Sequence, residues 1–220
     1  MNKVLVIAVH PDDETLGCGG TLLRHKDEGD EIYWLIVTTN DKKYSPERNA
    51  HRDEMVRKAT ALYGFDGVFE AGLPTTLLDT LDVNTLVEQI NNVYNEVKPN
   101  IVYMNFIYDV HSDHKAAFEA AYTCTRSFRK PFIEKIYMIE ALSETEFAPA
   151  ISSSSFCPNV YVDITKYIDK KLEIMELYDT EIMQEPYPRS LSSIKALARV
   201  RGSRAGVMYA EAFQLLYEKR

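Results

Sequence analysis

The chain has few cysteines and no long apolar run. Only three cysteines, Cys18, Cys124 and Cys157, occur among its 220 residues. An odd, widely spaced set does not predict a disulfide framework and indicates reduced thiols in a cytoplasmic protein. No stretch reaches the roughly 20 apolar residues that a membrane helix needs, and the first residues lack the features of a signal peptide. We therefore expect a cytoplasmic protein without a transmembrane segment.

An excess of basic charge is also lacking. The sequence contains 25 Lys and Arg residues against 33 Asp and Glu residues, which gives a formal net charge of −8. We therefore expect no nucleic-acid partner that is bound through bulk positive charge. Hydrophobic residues make up 45% of the chain, which is typical of globular proteins. The length suffices for one domain with a sizeable core, and we expect a single domain over residues 1–220.

Predicted strands and helices alternate along the chain. The apolar, β-branched residues 3–9 predict a strand that is buried inside a parallel sheet, and residues 15–28 predict a helix. Further strands are predicted at 31–39, 67–70, 101–104, 134–139 and 159–164, and further helices at 45–63, 83–97, 112–125, 166–179 and 190–200. This pattern predicts a three-layer, Rossmann-like α/β fold, with a mostly parallel sheet and helices on both faces. Residues 209–217 are compatible with either a helix or a strand.

The most unusual residues follow the first predicted strand. The sequence His10-Pro11-Asp12-Asp13-Glu14 comes directly after the apolar run. Three adjacent carboxylates repel each other unless a cation or the solvent offsets their charge, and a turn after a strand needs only one Asp or Asn. The cluster is therefore a candidate metal site. Acids that complement the dipole at a helix N-terminus are the alternative interpretation.

A second polar cluster follows the strand predicted at 101–104. It reads Asp109-Val110-His111-Ser112-Asp113-His114 and opens a predicted helix. In open α/β sheets ligands bind outside the carboxyl ends of the strands, so the two clusters can meet at one edge. Their imidazole and carboxylate groups suit zinc or another divalent transition metal. A solvated or helix-capping histidine pair is the alternative for this second cluster.

The two clusters resemble the motifs of a known family. The segment from Val9 to Glu14 resembles the Ala-His-Pro-Asp-Asp-Glu signature of the PIG-L/LmbE-like de-N-acetylases, and residues 111–114 resemble their His-Pro-Asp-His motif. C-terminal segments such as 209–213 add weaker similarity. The resemblance implies a zinc-dependent hydrolase that removes the acetyl group from an N-acetylglucosamine-type sugar or conjugate. Another divalent metal such as Fe²⁺ is the alternative cofactor.

The resemblance also implies a role for each residue of the two motifs. His10, Asp13 and His114 would be the metal ligands. Asp12 would be the general base that takes a proton from the attacking water. His111 would stabilise the tetrahedral oxyanion or protonate the departing amine. Spacing alone does not decide which acid is a ligand and which is the base.

The residues around these motifs have more than one interpretation. Glu14 either supports the metal site from behind or caps the following helix. Asp109 and Asp113 could orient His111 or His114, as carboxylates often do around metal-bound imidazoles. Asp109 is equally compatible with a turn.

Several arginines are candidates for substrate binding. The resemblance makes Arg52 a candidate for binding sugar hydroxyls or an anionic group of the substrate, and a surface arginine in a charged run is the alternative. A basic stretch near the C-terminus contains Arg189, Arg199, Arg201 and Arg204. It is either a solvated helix face or a binding site for a phosphate or carboxylate of the substrate.

The segment Gly17-Cys18-Gly19-Gly20 lies inside the first predicted helix. It differs from the Gly-x-Gly-x-x-Gly pattern of dinucleotide-binding loops. We expect it to permit close packing of the helix, and we do not expect Cys18 to be a metal ligand. The segment Gly72-Leu73-Pro74 is followed by Thr75, where members of the family often have Asp. No sugar contact is therefore inferred for that position.

The sequence leaves the substrate and two competing functions open. Its C-terminal half resembles family members of surface-glycan biosynthesis, and this resemblance implies an activated or conjugated sugar, for example a nucleotide-linked one. The family resemblance also implies a homo-oligomer. A metal-dependent amidase acting on a non-sugar acyl compound would use the same residues. A non-catalytic Rossmann-like binding protein would keep the motifs for structure alone. Asp12 argues against that last function, because a purely structural metal site needs ligands and no spare base.

Overall fold

A sheet of seven strands forms the centre of the computed structural model, which describes residues 1–39 and 44–220. The strands are β1 (Lys3–Ala8), β2 (Glu31–Thr39), β3 (Gly67–Pro74), β4 (Ile101–Met104), β5 (Lys135–Met138), β6 (Val160–Asp163) and β7 (Ala210–Glu218). The α-helices of the described residues are α1 (Asp13–Asp27), α2 (Pro46–Tyr63), α3 (Val83–Val97), α4 (Ser112–Thr123), α5 (Ile168–Met175) and α6 (Leu191–Ala205). None of these helices has the length and hydropathy needed to cross a lipid bilayer.

The sheet is mostly parallel, as predicted. Its strand order is β3-β2-β1-β4-β5-β7-β6. Strands β1 to β5 pair in parallel, whereas β7 runs antiparallel to both β5 and β6. The C-terminal segment that is ambiguous in the sequence is therefore a strand.

Helices cover both faces of the sheet, which confirms the three-layer prediction. Val4, Val6 and Ala8 of β1 belong to one core, together with apolar residues of α1, α2, α5 and α6. Leu5 and Ile7 belong to the other core, together with residues of α3 and α4. β1 is almost entirely buried because it lies between β2 and β4 in the middle of the sheet.

Local signals place most of the predicted helix ends correctly. The hydroxyl of Ser45 accepts a hydrogen bond from the backbone of Arg48, and Gly64 ends α2 with a φ of 69°. Three elements differ clearly in length from the prediction, and one of them is α6, which continues to Ala205 beyond the predicted end at residue 200. β3 extends to Pro74 because it keeps pairing with β2 as far as Thr39. α5 spans only Ile168–Met175 of the predicted 166–179.

Glycines allow α1 to pack closely, as predicted. A Cβ atom on Gly17 would lie 2.5 Å from the Cδ1 of Ile139, and one on Gly20 would lie 2.8 Å from the side chain of Ile164. Such distances are too short for a side chain, so the small residues are needed there. The close packing fixes the position of the helix that begins with the first motif.

Candidate metal centre

The turn after β1 holds Asp12 in an unusual backbone conformation. Its φ is 134° and its ψ is −29°, a combination that non-glycine residues rarely adopt. Such a conformation costs on the order of 1–3 kcal/mol and persists only where the surroundings enforce it. The amide of Asp12 donates to Glu14 Oε2 at 3.0 Å, and the carbonyl of Asp12 accepts from the amide of Leu16. The strained turn places the Asp12 side chain on the wall of a cavity.

Glu14 supports this turn from behind. It is fully buried, and its Oε1 accepts hydrogen bonds from the hydroxyls of Thr15 and Tyr178, each at 2.6 Å. Burial raises the pKa of Glu14 to about 7. Asp12 is the N-cap residue of α1, so the Glu14 carboxylate holds the amide at the start of that helix. This contact is compatible with both roles that the sequence left open for Glu14.

Three side chains of the two motifs converge next to Asp12. One ligand atom each from His10, Asp13 and His114 lies within 4.8 Å of the others. His114 Nε2 is 3.4 Å from Asp13 Oδ2 and 3.4 Å from His10 Nδ1. Asp13 Oδ2 also accepts hydrogen bonds from the amides of Val9 and His10. The structure thus brings together residues that are 104 positions apart in the sequence.

Two carboxylates orient the imidazoles from outside the cluster. His114 Nδ1 lies 2.8 Å from Asp109 Oδ2, and His10 Nε2 lies 3.3 Å from Asp113 Oδ2. A carboxylate accepts the proton on the nitrogen that it contacts, so the opposite nitrogens of both rings carry lone pairs. Two lone pairs and an oxygen of Asp13 therefore face one point. These residues fit a divalent metal ion.

The electrostatics of the cluster favour a positive charge at that point. Burial alone would lower the pKa of His114, but Asp13 and Asp109 raise it to about 9. Burial would raise the pKa of Asp13, but His114 and His10 bring it below its ordinary value. A proton and a metal ion therefore compete for the same place.

The outer carboxylates are themselves held in position. Asp109 is buried, and its Oδ1 accepts a hydrogen bond from the Thr145 hydroxyl at 2.7 Å. Asp113 accepts hydrogen bonds from the amides of Thr76 and Leu78. Asp109 contacts His114, which is one of the alternatives from the sequence. Asp113 instead contacts His10, because the ends of β1 and β4 lie side by side.

Two further groups of potential ligands occur among the described residues: His10, His111 and Asp113, and His25, Glu28 and Asp30. Both nitrogens of His25 already have partners, Asp30 at 2.8 Å and the Tyr103 hydroxyl at 3.1 Å. In the other group, His111 Nδ1 already accepts a hydrogen bond from the amide of Asp113. In the cluster of His10, Asp13 and His114, each imidazole has a carboxylate on the ring nitrogen that faces away from the other two groups.

His111 caps α4 and also lines the cavity. Its Nδ1 accepts a hydrogen bond from the amide of Asp113 at 3.1 Å. Burial lowers the pKa of His111, and the nearby His10 and His114 lower it further. The neutral ring therefore prevails at neutral pH, with its proton on Nε2. His111 offers a hydrogen-bond donor beside the cluster.

The cluster lies in a cavity of about 320 Å³, a size typical of small-molecule sites. Its other walls come from the start of α2, the segment after β5 and the segment between α5 and α6. They include Tyr44, Arg48, Arg52, Leu142, Glu181 and Arg189.

Arg52 and Arg189 reach this cavity by different routes. Arg52 donates to the carbonyl of Thr38 at 2.9 Å and lies 3.3 Å from Glu70 Oε2, so it is not a free surface arginine. Arg189 is the one residue of the C-terminal basic stretch among those that line the described cavity. Arg201 pairs with Glu140 instead.

Sequence reasoning does not select several polar residues at the site. Asn105 is buried with its Nδ2 3.1 Å from His114 Nδ1, and Glu181 lies 3.1 Å from Arg189. Both residues lie outside any motif of the sequence. The place of Asn105 directly after β4 is a signal that points to it, since site residues follow strand ends in this fold class.

Comparison with known proteins relates this chain to deacetylases. The family model described as "GlcNAc-PI de-N-acetylase" (PIG-L) matches residues 5–125, which include both motifs. The diacetylchitobiose deacetylase of Thermococcus kodakarensis is 24% identical over 226 residues, covering 98% of this chain and 84% of that protein. A probable N-acetyl-alpha-D-glucosaminyl L-malate deacetylase 2 of Bacillus cereus is 25% identical over 194 residues, covering 83% of this chain and 86% of that protein.

A solved structure is similar over the whole chain. The crystal structure of the conserved protein TT1542 from Thermus thermophilus has a TM-score of 0.80 and 28% identity, and the match covers 100% of this chain and 97% of that one.

Proposed function

Since the chain belongs to the PIG-L family, we propose that it is a metal-dependent de-N-acetylase. It hydrolyses the N-acetyl group of an amino sugar or sugar conjugate and releases acetate. The observation that carries the proposal is the convergence of His10, Asp13 and His114 beside a second carboxylate, that of Asp12, whose backbone has a positive φ. We propose one catalytic domain over residues 1–220.

His10, Asp13 and His114 would hold the metal ion. Zn²⁺ is the ion that we propose, because imidazole nitrogens and a carboxylate oxygen are among its usual ligands; Fe²⁺ is the second candidate. When bound, the ion supplies Lewis acidity and lowers the pKa of water.

Asp12 accepts the proton of the attacking water. Its carboxylate is not one of the three converging groups, and it lines the cavity next to them. Burial, together with Asp13 and Glu181, raises its pKa well above the ordinary value, which makes it a better proton acceptor. A structural metal site needs no such carboxylate in a strained turn, so a non-catalytic role is disfavoured.

His111 lines the cavity beside the cluster and stabilises the tetrahedral intermediate. Its Nε2–H donates to the oxygen that becomes negative in the tetrahedral intermediate. The C–N bond then breaks, and the departing amine takes up the proton that Asp12 accepted. One water is consumed, and acetate and a free amine are formed.

The cavity walls suit an amino sugar with polar or anionic groups. We propose that Arg52 binds sugar hydroxyls or an anion of the conjugate, since Arg52 is one of the residues that line the cavity. A metal-dependent amidase acting on a non-sugar acyl compound would use the same ligands and base. The two functions differ only in the class of substrate that the cavity walls bind.

Acetate release from a panel of substrates tests the proposal. The zinc-loaded protein would be assayed with N-acetylglucosamine, diacetylchitobiose, N-acetylglucosaminyl malate and UDP-N-acetylglucosamine, with N-acetyl amino acids as the non-sugar arm. We expect turnover of at least one sugar and loss of that turnover in His114→Ala. Turnover of the non-sugar amides alone would favour the second function. No turnover in either arm would contradict both.

We further propose that the protein acts as a cytoplasmic homo-oligomer, as the family resemblance implies. Exposed apolar side chains such as Phe128 and Phe147 are available for subunit contacts. Sedimentation velocity should give a mass that is a multiple of the chain mass, and a monomer at all concentrations would contradict this.

A further inference from the structure

Arg189 bridges two carboxylates beside the candidate metal centre. Its Nη1 lies 3.3 Å from Asp12 Oδ2 and 3.1 Å from Glu181 Oε2. Arg189 is 177 positions from Asp12 in the sequence and lies in the segment between α5 and α6. A distant part of the chain therefore contacts the turn that carries the first motif.

Among the residues that the structure describes, Arg189 is the one whose hydrogen bond to the Asp12 carboxylate is seen. The backbone of Asp12 is fixed separately, through the hydrogen bond from its amide to Glu14. The Asp12 side chain is only 5% exposed, so solvent does little to orient it. The direction of this carboxylate thus depends on the guanidinium.

Glu181 in turn holds the guanidinium. Its carboxylate and that of Asp12 share the same nitrogen of Arg189. The side chain of Arg189 is 20% exposed, whereas that of Asp12 is 5% exposed. Glu181 therefore holds the end of the guanidinium that contacts the Asp12 carboxylate.

We propose that Arg189 is the positioning residue for Asp12, and that Glu181 holds Arg189 in place. The inference rests on the proposed function, in which Asp12 is the general base. An arginine side chain stays protonated in proteins and so does not itself exchange protons in the reaction. It fixes the carboxylate towards the attacking water. The effect is therefore on kcat, with KM nearly unchanged.

Variants of Arg189 test this with zinc content and kinetics measured on the same samples. Arg189→Gln should keep its zinc and its KM but lose on the order of 10²-fold in kcat, the cost of a misplaced catalytic group. Arg189→Lys should recover part of the loss, since it restores the charge but not the planar fork. Arg57→Gln, which removes an exposed arginine paired with Glu54, is the matched control and should leave both constants unchanged.

The partner of Arg189 gives a second measurement. Glu181→Gln should lower kcat less than Arg189→Gln does, and the double variant should be no worse than Arg189→Gln alone, because the two residues act as a unit. A raised KM with unchanged kcat in Arg189→Gln would make Arg189 a substrate-binding residue and overturn the proposal. Loss of zinc from that variant would overturn it as well.

A double-mutant cycle in urea tests the contact without any turnover. Asp12→Asn and Arg189→Gln, singly and together in the zinc-loaded protein, should shift the denaturation midpoint non-additively. Additive shifts would show that the two side chains are not coupled. If the wild type releases no acetate, the proposed function fails and the cycle alone decides the Arg189 assignment. If the wild type is active and Arg189→Gln has the same kcat, only the Arg189 assignment fails.

Discussion

Asp12, Asp13 and Glu14 are adjacent in the sequence, yet their carboxylates have different surroundings. Asp13 faces two imidazoles, Asp12 faces Arg189, and Glu14 is buried among hydroxyl groups and a backbone amide. Their mutual repulsion is therefore relieved in three separate ways. Environment, rather than residue type, gives each acid its proposed role.

The outer carboxylates should matter for metal affinity. Asp109→Asn keeps the size of the side chain but removes the charged acceptor for His114 Nδ1–H. Zinc affinity, measured by competition with a chromogenic chelator, should fall about 10- to 100-fold. Asp79→Asn replaces an exposed acid and serves as the control. Equal affinities in the two variants would contradict the orienting role.

At the residue scale, the sequence predicts the site residues that belong to a motif. His10 and His114 could be selected because each stands among other chemically unusual residues at a predicted strand end. Asn105 and Glu181 could not, because a lone polar residue is compatible with any exposed position until the fold buries it.

At the element scale, α1 is interrupted in its middle. The backbone of Cys18 leaves the helical region, with a φ of −145° and a ψ of 18°. Beyond the interruption, the amides of Gly20 and Thr21 donate to the carboxylate of Glu211 at 2.8 and 2.7 Å. Lys171 of α5 pairs with the same carboxylate at 2.7 Å. Glu211 of β7 thus caps the second half of the helix that begins with the metal motif.

This internal cap should contribute strongly to stability. Glu211→Gln leaves the buried ammonium of Lys171 without its counter-ion, so the free energy of unfolding should fall by about 3–5 kcal/mol. The free energies would be measured by urea denaturation. Adding Lys171→Met should restore much of the loss, because the uncompensated charge is then gone.

An exposed ion pair on α5 provides the control for that measurement. Glu173→Gln breaks the pair with Lys170 and should cost at most about 1 kcal/mol. A loss in Glu211→Gln that is no larger than this would contradict the capping role.

Elements with strong local signals were predictable, and β7 was not. The capping residue and proline at the start of α2, and the glycine at its end, mark its bounds in the sequence. The first four residues of β7 are all buried, because β7 lies between β5 and β6 with cores on both faces. A strand buried on both faces has no alternation of apolar and polar residues, so its sequence resembles that of a buried helix.

At the scale of the whole molecule, the strand order creates the site. β1 and β4 are neighbours in the sheet although β2 and β3 lie between them in sequence. Their carboxyl ends therefore present both motifs at one edge, as expected from an alternating α/β pattern. The sequence makes Arg189 a candidate for binding an anionic group of the substrate, but its contact with Asp12 could not be foreseen, because the path of the segment between α5 and α6 is set by packing of the complete chain.

Metal binding should stabilise the whole fold, since the ligands come from two distant segments. At a free zinc concentration 100 times the dissociation constant, the gain is about 2.7 kcal/mol. Thermal unfolding should therefore shift to higher temperature with zinc and back with a chelator. His114→Ala should lose this dependence, while His51→Ala, which alters the cavity wall and removes an exposed contact with Asp179, should keep it. A zinc-independent melting temperature in the wild type would contradict the ligand assignment.

The most direct test of the central claim is the parallel measurement of bound zinc and acetate release in the wild type and in Asp12→Asn. Asparagine has nearly the same size as aspartate but cannot accept the proton of the attacking water. The expected result is the same zinc content per chain in both proteins, with kcat lowered about 10²- to 10⁴-fold in Asp12→Asn. An Asp12→Asn protein that keeps both its zinc and its full rate of acetate release would contradict the account.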